Sequence, residues 1–179
     1  MKTITSILLI LILSINFQLN AQELKSYENK DVIVKYPSNW EIVDVDKKKK
    51  ENPDNPMMKS TVLEIRADKD DESSKSVKAM KMDTQGRNPS LADIESFFEN
   101  MYNSSEKVVV LKKSKGQING YDYRSMTVKS NVEDVDKIGV QRYFIYNKYI
   151  YVVSVSSKFK EFPKFKPTAD KLLDSFKTN

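Results

Sequence analysis

The chain has 179 residues, with 30 Lys plus Arg against 25 Asp plus Glu, and neither cysteine nor histidine. The missing histidine removes the usual general base near neutral pH, the Ser-His and Cys-His nucleophile systems and the common zinc and iron sites. The missing cysteine leaves no disulfide framework and no thiol for a lipid anchor, and the mixed +5 net charge forms no basic stripe of the kind that nucleic acid selects.

Residues 1–21, MKTITSILLILILSINFQLNA, read as a cleaved signal peptide. Lys2 is the positive start, Ile4 to Ile15 the apolar run, and Asn20-Ala21 before Gln22 the small-residue cleavage site. The run is short for a membrane span, and Asn16, Gln18 and Asn20 follow it directly. The expectation is an exported chain, periplasmic or extracellular, with no membrane span after cleavage and no lipid anchor. Removal takes away one charge, Lys2, leaving 29 Lys plus Arg against 25 Asp plus Glu, a net of +4. About 158 residues remain, enough for one domain with a hydrophobic core. Of the chain's Trp40, eight Phe and nine Tyr, all but Phe17 are available to fill it.

Asp31 to Tyr36 reads as a strand ending at Pro37, and Trp40 to Val45 alternates as a half-buried strand does. Residues 47–57, KKKKENPDNPM, are charged and proline-interrupted, which predicts an exposed loop. Strands are expected at Thr61 to Ala67 and Val77 to Asp83, around the acidic stretch Asp68 to Glu72; Val77 and Met80 would also fit a short helix. Ser90 with Asp93 three residues on is a capping box, and Leu91, Ile94, Phe97, Phe98 and Met101 follow on one helical face.

From Lys107 to Ser157 the pattern is an antiparallel meander. Asn119-Gly120 is a strong hairpin signal, because both central residues of a type I′ turn need positive φ. The strand from Tyr121 to Lys129 returns, and Asn131 to Asp136 is read as a polar turn. A second hairpin about Asn147-Lys148 sets Phe144 opposite Tyr151 and Arg142 opposite Val153 on one face. Tyr143 opposite Val152 and Ile145 opposite Ile150 fall on the other. Two apolar faces imply central strands covered on both sides. Ala169, Leu172, Leu173 and Phe176 give a closing helix, with Pro167 in its first turn and Asp170 near its start.

The stretch Val32-Ile33-Val34-Lys35-Tyr36-Pro37-Ser38-Asn39-Trp40 resembles the opening of PsbP-like proteins, an extended strand, then Tyr-Pro, a polar pair and Trp. The Leu91 helix, the Ile118-Asn119-Gly120-Tyr121 hairpin and the ending Ala169 to Lys177 are similar in their order. These proteins share a fold with a Ran-binding nuclear-import factor and with many bacterial secreted proteins. The resemblance implies an α+β fold: a seven- or eight-stranded, mostly antiparallel sheet with helices on both faces, as one domain over residues 23–178. Plant PsbP helps retain calcium and chloride at photosystem II, and the import factor binds a GTPase. No functional residue of either matches a position here, so the fold alone is carried over.

Three stretches are candidate sites. Asp68-Lys69-Asp70-Asp71-Glu72 offers the oxygen ligands calcium takes, but Ser73 and Ala79 stand where an EF-hand needs Gly and a bidentate Glu. A solvated loop with no metal is the expectation. Lys47 to Lys50 carries no interleaved aromatics and is read as a solvated charge run. Tyr143, Tyr146, Tyr149 and Tyr151 suit a ligand groove or cross-strand pairing, and pairing is favoured, with Tyr146 and Tyr149 the most exposed. Gly-x-Ser-x-Gly, Ser-x-x-Lys with its partner motifs, and phosphate-binding glycine loops are absent. The reading is therefore an exported, non-enzymatic binding or accessory protein without catalytic residues, cofactor or nucleic-acid partner, its own partner unknown. The alternative is a small-molecule or lipid-binding protein with a pocket between sheet and helix. A carboxylate-only hydrolase comes third.

Overall fold

The computed structural model describes residues 23–132 and 134–179; the expected signal peptide lies outside them. Seven strands form an antiparallel sheet in the order β3-β4-β5-β9-β8-β7-β6, and β1, β2 and β10 form a second sheet with β2 in the middle. The sheets use β1 (Leu24–Glu28), β2 (Val32–Pro37), β3 (Glu41–Ile42), β4 (Thr61–Arg66), β5 (Ser76–Asp83), β6 (Val108–Ile118), β7 (Tyr121–Val132), β8 (Val135–Tyr146), β9 (Tyr149–Lys158) and β10 (Lys177–Thr178). The helices are α1 (Val45–Glu51), α2 (Pro56–Ser60), α3 (Leu91–Asn103) and α4 (Phe162–Ser175), the last preceded by a single 3₁₀ turn.

The large sheet is buried on both faces, as its two apolar patterns require. One face packs with β2 and α4 around Leu63, Ile65, Val77, Phe144, Tyr151, Val153 and Leu172. Trp40 is buried there, its ring 5.8 Å from that of Phe165. The other face packs Met80, Met126, Tyr143 and Val152 against Ile94 and Phe98 of α3. The hairpin register agrees with the sequence: Phe144 pairs with Tyr151, Arg142 with Val153, Tyr143 with Val152 and Ile145 with Ile150. Asn147 and Lys148 both adopt positive φ, 47° and 66°, as do Asn119 at 48° and Gly120 at 83°. Two I′-type turns thus fix the register within the β6–β7 and β8–β9 hairpins.

Several elements differ from expectation. The first predicted strand, β2, joins the small sheet and is flanked by β1 and β10, both unpredicted. The strand predicted over Trp40 to Val45 is only two residues long, although Val43 N still donates to Glu64 O at 2.9 Å. It stops because Asp44 caps a helix, its side chain accepting from Lys47 N. The predicted 47–57 loop is instead α1 and the short α2, which Asn55 caps in the same way. Asp46 in the first turn and Lys48 to Lys50 in the last complement the α1 dipole. The polar turn expected over Asn131 to Asp136 is mostly strand; β7 runs to Val132 and β8 begins at Val135. In α3 the capping box is present, but Phe97 is 62% exposed while Phe98 is buried. The closing helix starts at Phe162, five residues early, so Pro167 lies inside it rather than in its first turn.

Candidate functional site

The register of the central strands places small residues side by side on the α3 face. Ser76 of β5 pairs with Ser156 of β9, which pairs with Gly139 of β8; Lys78 pairs with Ser154, which pairs with Gln141. Where neighbouring positions carry Val152, Tyr143 and Met126, α3 packs on them. Where they carry Ser and Gly, no bulk rises to meet a helix. The result is a trough with a cavity of about 240 Å³, lined by Tyr102, Val128, Lys137, Gly139, Gln141, Ser154 and Ser156 among others. Gly139 keeps its floor low: a Cβ there would lie 3.1 Å from Val155 O and 3.3 Å from Ser156 Cβ.

One wall is the C-terminal end of α3. Tyr102 Oη donates to Gln141 Oε1 at 2.8 Å, which leaves the Gln141 amide nitrogen buried and without a hydrogen-bond partner. Leaving such a donor unpaired costs on the order of 1–3 kcal/mol. Burial also holds the Tyr102 phenol above its usual pKa.

Past Lys137, which lines the cavity, the same sheet face continues outside it as a charged wall. Glu64 and Arg66 on β4 are buried and ion-paired, with Arg66 Nε 2.7 Å from Glu64 Oε1. Lys48 of α1 reaches Glu72 at 3.0 Å, and Arg66 reaches the same carboxylate at 3.2 Å. Lys137 Nζ donates to Glu72 O at 2.6 Å, and Lys158 Nζ lies 3.3 Å from Asp71 Oδ2. Lys78 stands between this cluster and the serine floor. Burial pushes the Lys78 and Lys137 ammonium groups below the ordinary lysine pKa. The Lys48 hydrogen bond holds Glu72 below the carboxylate range.

The candidate residues of the sequence are dispersed by the fold. Asp68, Asp71 and Glu72 are engaged internally: Asp68 accepts from Asp70 N, and Asp71 from Ser73 N and Oγ. Among the described residues no group of three or more His, Cys, Asp or Glu is placed to hold a metal ion. Lys47 to Lys50 lie on α1, and only Lys48 joins the charged wall, through Glu72. The four tyrosines do not share a groove. Tyr143 is buried against α3, whereas Tyr151 is buried on the α4 face. Tyr146 and Tyr149 are half-buried at that face's rim, with Tyr146 packed edge-on against Tyr121. The trough residues Gly139, Gln141, Ser154, Ser156, Lys78 and Lys137 were missed. Their signal was present in the hairpin register, which sets Gly139 against Ser156 and Gln141 against Ser154.

A second cavity, about 550 Å³, opens at the other end of α3. It is lined by Met82, Ile94, Phe97, Phe98 and Ile150, with Thr84 buried beside them and its hydroxyl unpartnered.

The family model described as PsbP-like protein matches residues 13–178. The chain belongs to the PsbP-like family. No curated protein matches it. This PsbP-like chain is similar in structure to the cyanobacterial PsbP, CyanoP, of Synechocystis sp. PCC 6803. The TM-score is 0.63 at 13% identity, over 90% of this chain and 95% of that one. It is also similar to LpqN, involved in cell envelope biogenesis of Mycobacterium tuberculosis, with a TM-score of 0.57 at 10% identity over 89% and 92% of the two chains. The Ran-binding protein Mog1p of Saccharomyces cerevisiae gives 0.54 at 10% identity over 88% and 96%. At these identities the likeness concerns the PsbP-like fold.

Proposed function

We propose that this PsbP-like protein is an exported, non-enzymatic accessory protein of the bacterial envelope that binds a small ligand in the trough beside the C-terminal end of α3. In this reading residues 1–21 are a signal peptide removed after Ala21, residues 23–178 are the working domain, and the product is periplasmic or released. The observation that carries it is the buried, unpartnered Gln141 amide beside a floor of serines and Gly139. A donor kept dry and unsatisfied, next to space, is what a binding site keeps for its ligand. The similarity to LpqN, whose name carries an envelope role, supports the setting.

Nothing near the trough forms a nucleophile and base pair. Its carboxylates are committed to ion pairs, and the chain has no histidine to take a proton. Native mass spectrometry of protein taken from its own envelope tests the reading, and the expected result is a mature N-terminus at Gln22 with a bound small molecule. Activity on a substrate panel that one Asp or Glu substitution abolishes would overturn the non-enzyme assignment.

The cavity beside Phe97 favours a second reading, in which a lipid or another amphiphile is the ligand. Met82, Ile94, Phe98 and Ile150 line it together with Asp83, Gln85, Arg87 and Asp93, and the Phe97 ring is left exposed beside them. A bound species that extracts into organic solvent and is lost in Phe97→Ser would support that reading over the first.

A further inference from the structure

The charged wall holds more cations than its own carboxylates neutralise. Lys48, Arg66, Lys78, Lys137 and Lys158 face Glu64, Asp71 and Glu72, so five positive groups meet three negative ones. Each carboxylate is already shared: Asp71 with Ser73 and Lys158, Glu72 with Lys48 and Arg66, Glu64 with Arg66. Lys137 donates to a backbone carbonyl, and no hydrogen bond or ion pair engages the Lys78 ammonium among the described residues. Surplus positive charge in a partly dry place is costly unless an anion joins it.

The neutral groups agree in sign. The Gln141 nitrogen is a donor without an acceptor. The Ser154 hydroxyl has only a long 3.5 Å contact to Lys78 O. Glu64 carries the one unpartnered buried acceptor of the cluster, but it sits across Lys78 from the cavity, paired with it in register, and does not line it.

We propose that the trough is a binding site for a small phosphate-bearing anion, held by Lys137, the Gln141 amide and the Ser154 hydroxyl, with the Lys78 charge on the neighbouring strand opposite Ser154. The proposal rests on the reading that the trough is the ligand site, and it names the chemical class of that ligand. A phosphate monoester carries close to two negative charges and three acceptor oxygens, matching two surplus cations and several donors on adjacent strands. A carboxylate brings one charge and would leave donors unused. The cavity, about 240 Å³, is below the usual range for drug-sized ligands, so it takes a phosphate with a small substituent and excludes a nucleotide. Such a group occurs free in solution and as the head of a phospholipid.

The test is titration calorimetry of the purified protein with inorganic phosphate, with glycerol 3-phosphate, and with phosphatidylcholine vesicles containing phosphatidic acid. Binding of either soluble probe, or of the vesicles alone, is the expected result, and the arm that binds identifies the source. Lys137→Met and Gln141→Met should each raise Kd roughly tenfold or more, the loss of one charge-assisted or buried hydrogen bond. Lys113→Met should leave Kd unchanged, because Lys113 is paired with Glu99 on α3 at 2.9 Å and does not line the cavity. If a trough variant misfolds, the Gln141 side-chain amide resonance of the wild-type protein decides, since it must move on addition of the binding probe. No binding in any arm, wild-type affinity in both trough variants, or equal loss in Lys113→Met overturns the phosphate assignment. A different ligand found on the envelope-derived protein would overturn this assignment while leaving the proposed function standing.

Discussion

Lys81 Nζ lies 2.8 Å from Asp31 Oδ1 and 4.0 Å from the centre of the Tyr149 ring. Asp31 precedes β2 of the small sheet, and Lys81 and Tyr149 belong to β5 and β9 of the large one. This contact is a polar bolt between the two sheets. Lys81→Met should cost about 1–3 kcal/mol, since it leaves a buried Asp31 carboxylate without its cation. The Asp31 hydrogen bond raises the Lys81 pKa, so its contribution is complete below the lysine's ordinary value and disappears as pH rises through the raised one. Thermal melts from pH 8 to 11.5 should show a loss at the alkaline end that is smaller in Lys81→Met.

Tyr143 is fully buried and its hydroxyl has no hydrogen-bond partner. Tyr143→Phe should therefore leave stability equal or raise it by about 1 kcal/mol, because only an unsatisfied polar group is removed. Burial drives the phenol's pKa well up. Above pH 10 the unfolded chain loses this proton while the folded one keeps it, so stability falls with pH. Denaturant titration of Tyr143→Phe should show a shallower alkaline fall. A loss of more than about 2 kcal/mol at neutral pH would contradict the account of an orphaned hydroxyl.

Phe97 and Phe98 are neighbours on α3 with opposite fates. Phe98→Ala should cost about 3–5 kcal/mol, as it empties a core position whose ring lies 5.6 Å from that of Tyr143, while Phe97→Ala should stay within about 0.5 kcal/mol. Urea denaturation of the two variants checks this. Equal costs would mean that α3 is rotated on the sheet.

Calcium should leave the melting temperature unchanged. Asp71 and Glu72 already accept from Ser73, Lys158, Lys48 and Arg66. A site of about 10 μM would add about 2.7 kcal/mol at roughly 1 mM calcium, a shift of several degrees that a melt resolves easily. Such a shift, removed by Asp70→Asn with Asp71→Asn, would establish a metal site in this loop.

What the sequence disclosed follows the range of the interactions involved. Asn119-Gly120 and Asn147-Lys148 announce their turns because the positive φ is a local demand, and with them came the register of β6 to β9. Ser90 and Asp93 announce α3 in the same local way. The capping role of Asp44 was hidden by the apolar alternation from Trp40 to Val45, so α1 was read as loop. β10 has two residues and exists only because β2 offers an edge; no local signal could reveal it. The trough had the same difficulty. Its floor was half visible in the Gly139–Ser156 pair, but its wall needs Glu64 and Arg66 beside Lys78, a pairing across the separate β4–β5 hairpin.

The pairing of β10 with β2 also has a consequence in time. Lys177 and Thr178 close on Ile33 and Val32, and Asn179 N donates to Asp31 O. Strand β2 is thus completed by residues from far along the chain, so the small sheet cannot be finished before Lys177 and Thr178 have been made. Until then β2 would expose one open edge and part of the core beneath it. A nascent chain of this protein therefore has a window in which a holding chaperone has something to grasp, and that window shuts when Lys177 to Asn179 dock.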